Sequence, residues 1–242
     1  MTTALRTLIA LGLAFVACAA QAGQWQVAPL RTELSARRPT SALTVSNRAD
    51  QPATLHVRAY VWTQENGEDR LEDTEALIVS PPIFTVHAGR AQTLRIGLRD
   101  PDADTTGERE RAYRIVIEEV PNDSPDATGV RMILRMSLPI FVRPAQAPAQ
   151  AQMDWRVVRN ERGWQLEAAN RGQAHAQLVN VRMNAPDRDE PIAAIESPTY
   201  VLPGAAKRWD LAPNPALVPG SPLRIEARTL TDRFDASVMP AP

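Results

Sequence analysis

Val130-Arg131-Met132-Ile133-Leu134-Arg135-Met136-Ser137-Leu138 sets an apolar residue at every second position: Val130, Met132, Leu134, Met136 and Leu138. In a β-strand these five side chains stand on one face, because successive residues point to opposite sides. A strand with so regular an apolar face needs a surface to pack on. Periodicity alone leaves two surfaces open: the protein's own sheet, or a partner from outside the chain.

The segments around it read the same way. Ala42 to Asn47 puts Leu43 and Val45 on one face, and Thr54 to Trp62 alternates Leu55, Val57, Ala59 and Val61 against Thr54, His56, Arg58 and Tyr60. Phe84 to His87, Thr93 to Leu98 and Tyr113 to Val120 continue the pattern. Turn signals separate them at Arg48 to Pro52, Glu65-Asn66-Gly67 and His87-Ala88-Gly89. Short strands at such intervals predict an antiparallel sandwich. Arg143 to Gln150 has low complexity and reads as a short linker. A second strand-rich region follows: Trp155 to Val158, Trp164 to Ala169, Gln177 to Met183, Tyr200 to Leu202, Lys207 to Leu211 and Leu223 to Thr229. The expected organisation is a leader over 1–22, a first sandwich over 23–144, a linker over 145–151 and a second sandwich over 152–242.

The leader is expected to be a secretory signal peptide. Arg6 precedes an apolar stretch from Leu8 to Val16, and Ala20-Gln21-Ala22 is a small-x-small cleavage site before Gly23. A lipoprotein reading at Cys18 is weakened by Phe15 three residues upstream. Cys18 is the only cysteine, so an exported mature chain has to hold together by core burial without disulfides. The 21 prolines favour turns and edge strands over long helices. A formal net charge of −1 offers no basic excess for nucleic acid.

Catalytic and metal chemistry is not expected. His56, His87 and His175 lack metal-ligand spacing and read as surface or strand histidines. Asp100-Pro101-Asp102-Ala103-Asp104 has the opening of a calcium loop, but Thr105 stands where glycine is needed and Arg111 where glutamate is needed. It reads as a solvated loop, and Glu108-Arg109-Glu110-Arg111 as a solvated mixed-charge turn. Glu118 and Glu119 point to opposite faces of a strand and cannot act as an acid–base pair without a partner from elsewhere. The tryptophans read as core or hinge packing.

The ordered motifs resemble the periplasmic chaperones that assemble pili through an outer-membrane usher. They are Pro29-Leu30-Arg31, Leu43 to Asn47, Ser80 to Phe84, Gln92 to Ile96, Tyr113-Arg114-Ile115, Glu118 to Pro121, Leu138 to Pro144, Asn170-Arg171-Gly172 and Val201 to Gly204. The resemblance implies two immunoglobulin-like β-sandwich domains set at an angle, a boomerang with a central cleft. It implies a non-enzymatic periplasmic protein with no cofactor, whose partners are pilus subunits and the usher, with no nucleic acid or small-molecule substrate. Such subunits lack their last strand, and the chaperone lends an edge strand to complete them, which is β-strand addition. On this reading Val130, Met132, Leu134 and Met136 enter the subunit's groove.

The family also holds the subunit's C-terminal carboxylate with basic residues in the cleft, a task suited to the arginine fork. Arg31 aligns with the first of these. In the better-known branch the second is a lysine two residues before the phenylalanine of the strand's ending. Here that position is Pro139, and the Leu-Pro-Ile-Phe form resembles the archaic, spore-coat-U-type branch. Arg114 is then the leading second anchor and Arg135 the weaker one, with Arg143 left at the linker. The free form is a monomer or an edge-paired dimer. The competing expectation is a secreted two-domain adhesin or carbohydrate-binding module.

Overall fold

The computed structural model describes residues 25–121, 133–145, 149–186, 190–230 and 232–241. Val130, Met132 and the leader lie outside them. The described residues form two β-sandwiches.

In the first, one sheet runs β1 (Trp25–Ala28), β3 (Thr40–Asn47), β8 (Ala91–Leu98), β6 (Leu77–Ser80). The other runs β2 (Thr32–Leu34), β10 (Arg135–Val142), β9 (Arg111–Glu119), β4 (Ala53–Glu65), β5 (Glu68–Asp73), with β7 (Ile83–Val86) paired to the start of β4. These pairings are antiparallel except β2 on β10, which is parallel. The period-two residues face inward as expected. Leu43, Val45, Leu55, Val57, Leu94, Ile96, Ile115 and Ile117 share one buried core.

β5 consists of exposed Glu, Asp, Arg and Leu residues, and its sequence gives no sign of a strand. The turn explains it. Asn66 and Gly67 both have positive φ, at 53° and 86°. That is the backbone of a two-residue hairpin turn, whose twist matches that of paired strands.

The second sandwich holds β11 (Met153–Asn160), β12 (Gly163–Asn170) and β17 (Ala206–Asp210) in one sheet, with β13 (Ala176–Leu178) paired to β16 (Thr199–Val201). The facing sheet runs β15 (Ala193–Ile195), β14 (Asn180–Asn184), β18 (Leu223–Arg228), β19 (Arg233–Val238). Its core is separate and includes Trp155, Leu166, Met183, Val201 and Ile225.

One asparagine ties the same knot in each half. Asn47, 1 % exposed at the end of β3, donates to the carbonyls of Gln51 (2.8 Å) and Val86 (3.0 Å) and accepts from Ala49 N–H (2.9 Å). Asn170, 1 % exposed at the end of β12, donates to Ala174 (2.7 Å) and Val201 (3.0 Å) and accepts from Gly172 N–H (3.0 Å). In both, a buried amide satisfies turn groups that would otherwise be left without partners.

Two expectations are corrected here. Asp100–Asp104 is not a solvated loop. Pro101–Thr105 form a short helix, α1, capped by the Asp100 side chain, and Asp104 is 6 % exposed. Its carboxylate takes hydrogen bonds from Arg111 Nη1 (3.0 Å) and the Tyr113 hydroxyl (3.1 Å). Nor is Glu110 a solvated turn residue. It is 8 % exposed and faces the second sandwich.

Candidate functional site: a free sheet edge beside a basic cleft

β10 is bonded along its length to β9, from Arg135 opposite Glu118 to Val142 opposite Arg111. On its other side, β2 covers only Ile140 to Val142. Glu119 N–H donates to Leu134 O at 3.0 Å. Antiparallel pairing alternates, so Leu134, Met136, Leu138 and Ile140 direct their backbone groups to β9. The backbone groups of Arg135, Ser137 and Pro139 therefore face away from β9, toward the side where β2 begins only opposite Ile140, and no described strand is in register with Arg135 or Ser137 there. This is a half-open edge, the arrangement that invites an added strand.

The side chains of β10 divide between two faces. Leu138, Ile140 and Val142 belong to the first core, and Met136 packs partly buried against it. Leu134 is half-buried and Ile133 is 53 % exposed. The apolar face is thus shared: from Leu138 onward it serves the protein's own sandwich, and toward Leu134 it runs beyond that core.

The opposite face carries the charges. Arg135 and Arg58 both pair with Glu118, at 3.0 and 3.2 Å. Two positions further along, Arg114 lies opposite Pro139 on one side and Tyr60 on the other. Its guanidinium stacks 3.7 Å from the Trp62 ring centroid and 5.7 Å from that of Tyr200. No carboxylate forms an ion pair with it among the described residues. Burial pulls its pKa down, while the charge of Asp69 and then Tyr200 act to raise it. Arg114 is thus a partly desolvated cation with no ion-pair partner among the described residues, a state that an incoming carboxylate relieves.

Arg31 precedes β2 and sits 3.6 Å from Glu33, which Arg143 also engages. Tyr200 feels the charge of both arginines. Burial raises its phenol pKa, and the charges of Arg31 and Arg114 both pull it back. Arg114 is the one of the two with a ring contact to Tyr200 among the described residues. Arg135 remains in its own exposed ion pair.

The cleft floor is the contact between sandwiches. Trp62, Ala112 and Phe141 from the first and Leu202 from the second form a small buried cluster. His175 stacks on Phe141, with centroids 3.5 Å apart and planes 7° apart. Its Nδ1 lies 2.6 Å from Glu110 Oε1, which also accepts the His175 backbone N–H at 3.1 Å. His175 is thus no surface histidine. Gln64, from the far end of β4, donates to Tyr200 O and accepts from Leu202 N–H, both at 2.9 Å. Lys207 reaches Gly67 O and Asp69 on the hairpin of β4 and β5.

Sequence reasoning selected Arg31, Arg114 and Arg135 but missed Tyr200, His175, Glu110 and Gln64. Each of these is defined by a partner distant in sequence, and none belongs to a local pattern.

Residues 24–148 match the family model described as pili and flagellar-assembly chaperone, PapD N-terminal domain. Among solved structures, the chain resembles one from the CsuC–CsuE chaperone–tip adhesion subunit pre-assembly complex of the archaic chaperone–usher Csu pili of Acinetobacter baumannii. Identity is 19 %, 91 % of this chain and 100 % of that chain are covered, and the TM-score is 0.67. A chain from the Salmonella enterica SafA pilin in complex with the SafB chaperone gives 18 % identity, coverage of 88 % and 95 %, and a TM-score of 0.60. The periplasmic chaperone SfaE gives 13 %, coverage of 89 % and 99 %, and 0.55. At these identities the likeness is one of fold. No curated protein sequence matches the chain.

Proposed function

The chain belongs to the pili and flagellar-assembly chaperones, a non-enzymatic family, and from that membership we propose that it binds pilus subunits, completes their unfinished sandwich with its own strand, and delivers them to an outer-membrane usher. The observation that carries this reading is the half-open edge of β10 beside Arg114, which forms no ion pair among the described residues.

A subunit strand that pairs with Arg135 and Ser137 extends the β2–β10–β9 sheet. Its inward side chains then continue the apolar layer that Leu134 and Met136 begin. Val130 and Met132, outside the described residues, extend the same alternation. Each such side chain, once buried, contributes on the order of 1.5–3 kcal/mol, offset in part by the ordering of both partners. Arg114 and Arg31 hold the subunit's terminal carboxylate. Arg135, tied to Glu118, has the lesser role.

The chain works in the periplasm, reached through the leader at 1–22, a location supported by its likeness to a periplasmic chaperone. The first sandwich spans 23–144 and the second 152–242, joined by the linker at 145–151. Amide hydrogen exchange on the chaperone–subunit complex tests the reading. Ser137 N–H is expected to be open in the free chain and strongly protected in the complex. Equal exchange in both states rules out strand addition at this edge.

A further inference from the structure

Tyr200 lies in β16 of the second sandwich, with its ring 5.7 Å from the Arg114 guanidinium of the first. Its ring meets Trp62 edge-on, with centroids 5.4 Å apart at 83°, and lies 5.7 Å from Phe141. Gln64 grips the backbone just after it, at Tyr200 O and Leu202 N–H. The ring is thus held by side chain and main chain, and from both sandwiches. Its hydroxyl makes no hydrogen bond among the described residues. Arg114, 5.7 Å from the ring, and Arg31 are donors only, since a guanidinium has no acceptor. They can serve the phenol oxygen but cannot take its proton.

We propose that Tyr200 is a third donor to the guest's terminal carboxylate, supplied by the second sandwich alongside Arg31 and Arg114 of the first. This rests on the carboxylate site proposed above. A carboxylate offers about four lone-pair sites, so two guanidinium groups leave room for a phenol O–H. The phenol is held in place before the anion arrives, so little ordering cost attends the bond. The arrangement also divides the site between the two sandwiches, and occupancy of the cleft then depends on their relative placement.

The test uses the full mature chain and sodium acetate as probe, with sodium chloride at matched ionic strength as control. The side-chain Nε resonance of Arg114 and the ring Cζ resonance of Tyr200 are followed by NMR. In the wild type both are expected to move together and saturably with acetate. Tyr200→Phe keeps the ring on Trp62 and removes only the hydroxyl. It is expected to weaken the acetate-dependent shift of Arg114 about tenfold while leaving the thermal midpoint unchanged. Superposable acetate curves for wild type and Tyr200→Phe overturn the proposal and leave the arginine site standing. Absence of any acetate-specific shift in the wild type overturns the carboxylate site, and this proposal with it.

Discussion

Arg114 stands directly across the β9–β10 ladder from Pro139. Directly opposed residues share a face, so the cation lies beside the position where the better-known branch of the family carries a lysine. Pro139 can carry no charge. The neighbouring strand supplies one, seated 3.7 Å over Trp62. Arg114→Gln is expected to weaken subunit binding about ten- to a hundredfold, the range of a charge-assisted hydrogen bond. Adding Pro139→Lys to that variant is expected to restore part of the loss. Calorimetric titration against a purified subunit measures both, and undiminished binding by the single variant removes Arg114 from the site.

Leu134 and Ile140 lie on the same face of one strand yet serve different ends. Ile140 is 1 % exposed in the first core, so Ile140→Ala is expected to cost about 2–5 kcal/mol of folding stability. Leu134→Glu is expected to lower stability far less and to abolish the one-to-one subunit complex. Denaturant melts paired with size-exclusion chromatography separate the two effects. The same loss from both variants would place Leu134 in the core.

The paired asparagine knots call for matched substitutions. Asn47→Ala and Asn170→Ala each leave several buried backbone groups unsatisfied, each group worth about 1–3 kcal/mol. Each variant is expected to unfold its own sandwich at lower temperature, visible as a split calorimetric transition. A change below about 0.5 kcal/mol in either case would show that water replaces the amide.

His175 and Glu110 join the sandwiches through a 2.6 Å contact. His175→Ala removes the stack on Phe141 and leaves a nearly buried carboxylate holding fewer partners, at a cost of about 1–3 kcal/mol. It is expected to widen the angular distribution between sandwiches, seen as a larger radius of gyration by small-angle X-ray scattering. An unchanged scattering profile would assign interdomain order to Gln64 and the aromatic cluster instead.

Tyr113 predicts the response to alkali. Burial, and after it the Asp104 charge, raises its phenol pKa above the ordinary value, and burial acts on Tyr200 in the same direction. The unfolded chain therefore releases these protons first, starting near pH 10. Stability is full below that pH and falls as pH rises toward the folded-state values. Thermal midpoints from pH 9 to 11 are expected to drop more steeply in the wild type than in Tyr113→Phe. Parallel slopes would mean that Tyr113 ionises as freely folded as unfolded.

Much of the fold was legible because period-two alternation is a local property. Leu55, Val57, Ala59 and Val61 announce one face of β4 without reference to any other segment. β5 was not legible: Glu68 to Asp73 carries little apolar contrast, and its pairing comes from a turn and a neighbour. β19 was passed over although Phe234, Ala236 and Val238 alternate with polar residues toward the second core. The cleft shows the same division. Arg31 and Arg114 were selected through motifs resembling a family. Glu110 and His175 read as solvent-facing because each finds its partner only when two sandwiches meet. The alternation from Val130 to Leu138 left its packing surface open, and the fold divides that surface near Met136.

Pro139 also gives the open edge a stopping point. Its backbone faces away from β9 and has no N–H to offer, so a strand laid along Arg135 and Ser137 loses its next donor at residue 139. That gap falls level with Arg114 across the ladder. The proline thus acts as a ruler along this edge: the ladder runs out of donors level with the Arg114 cation.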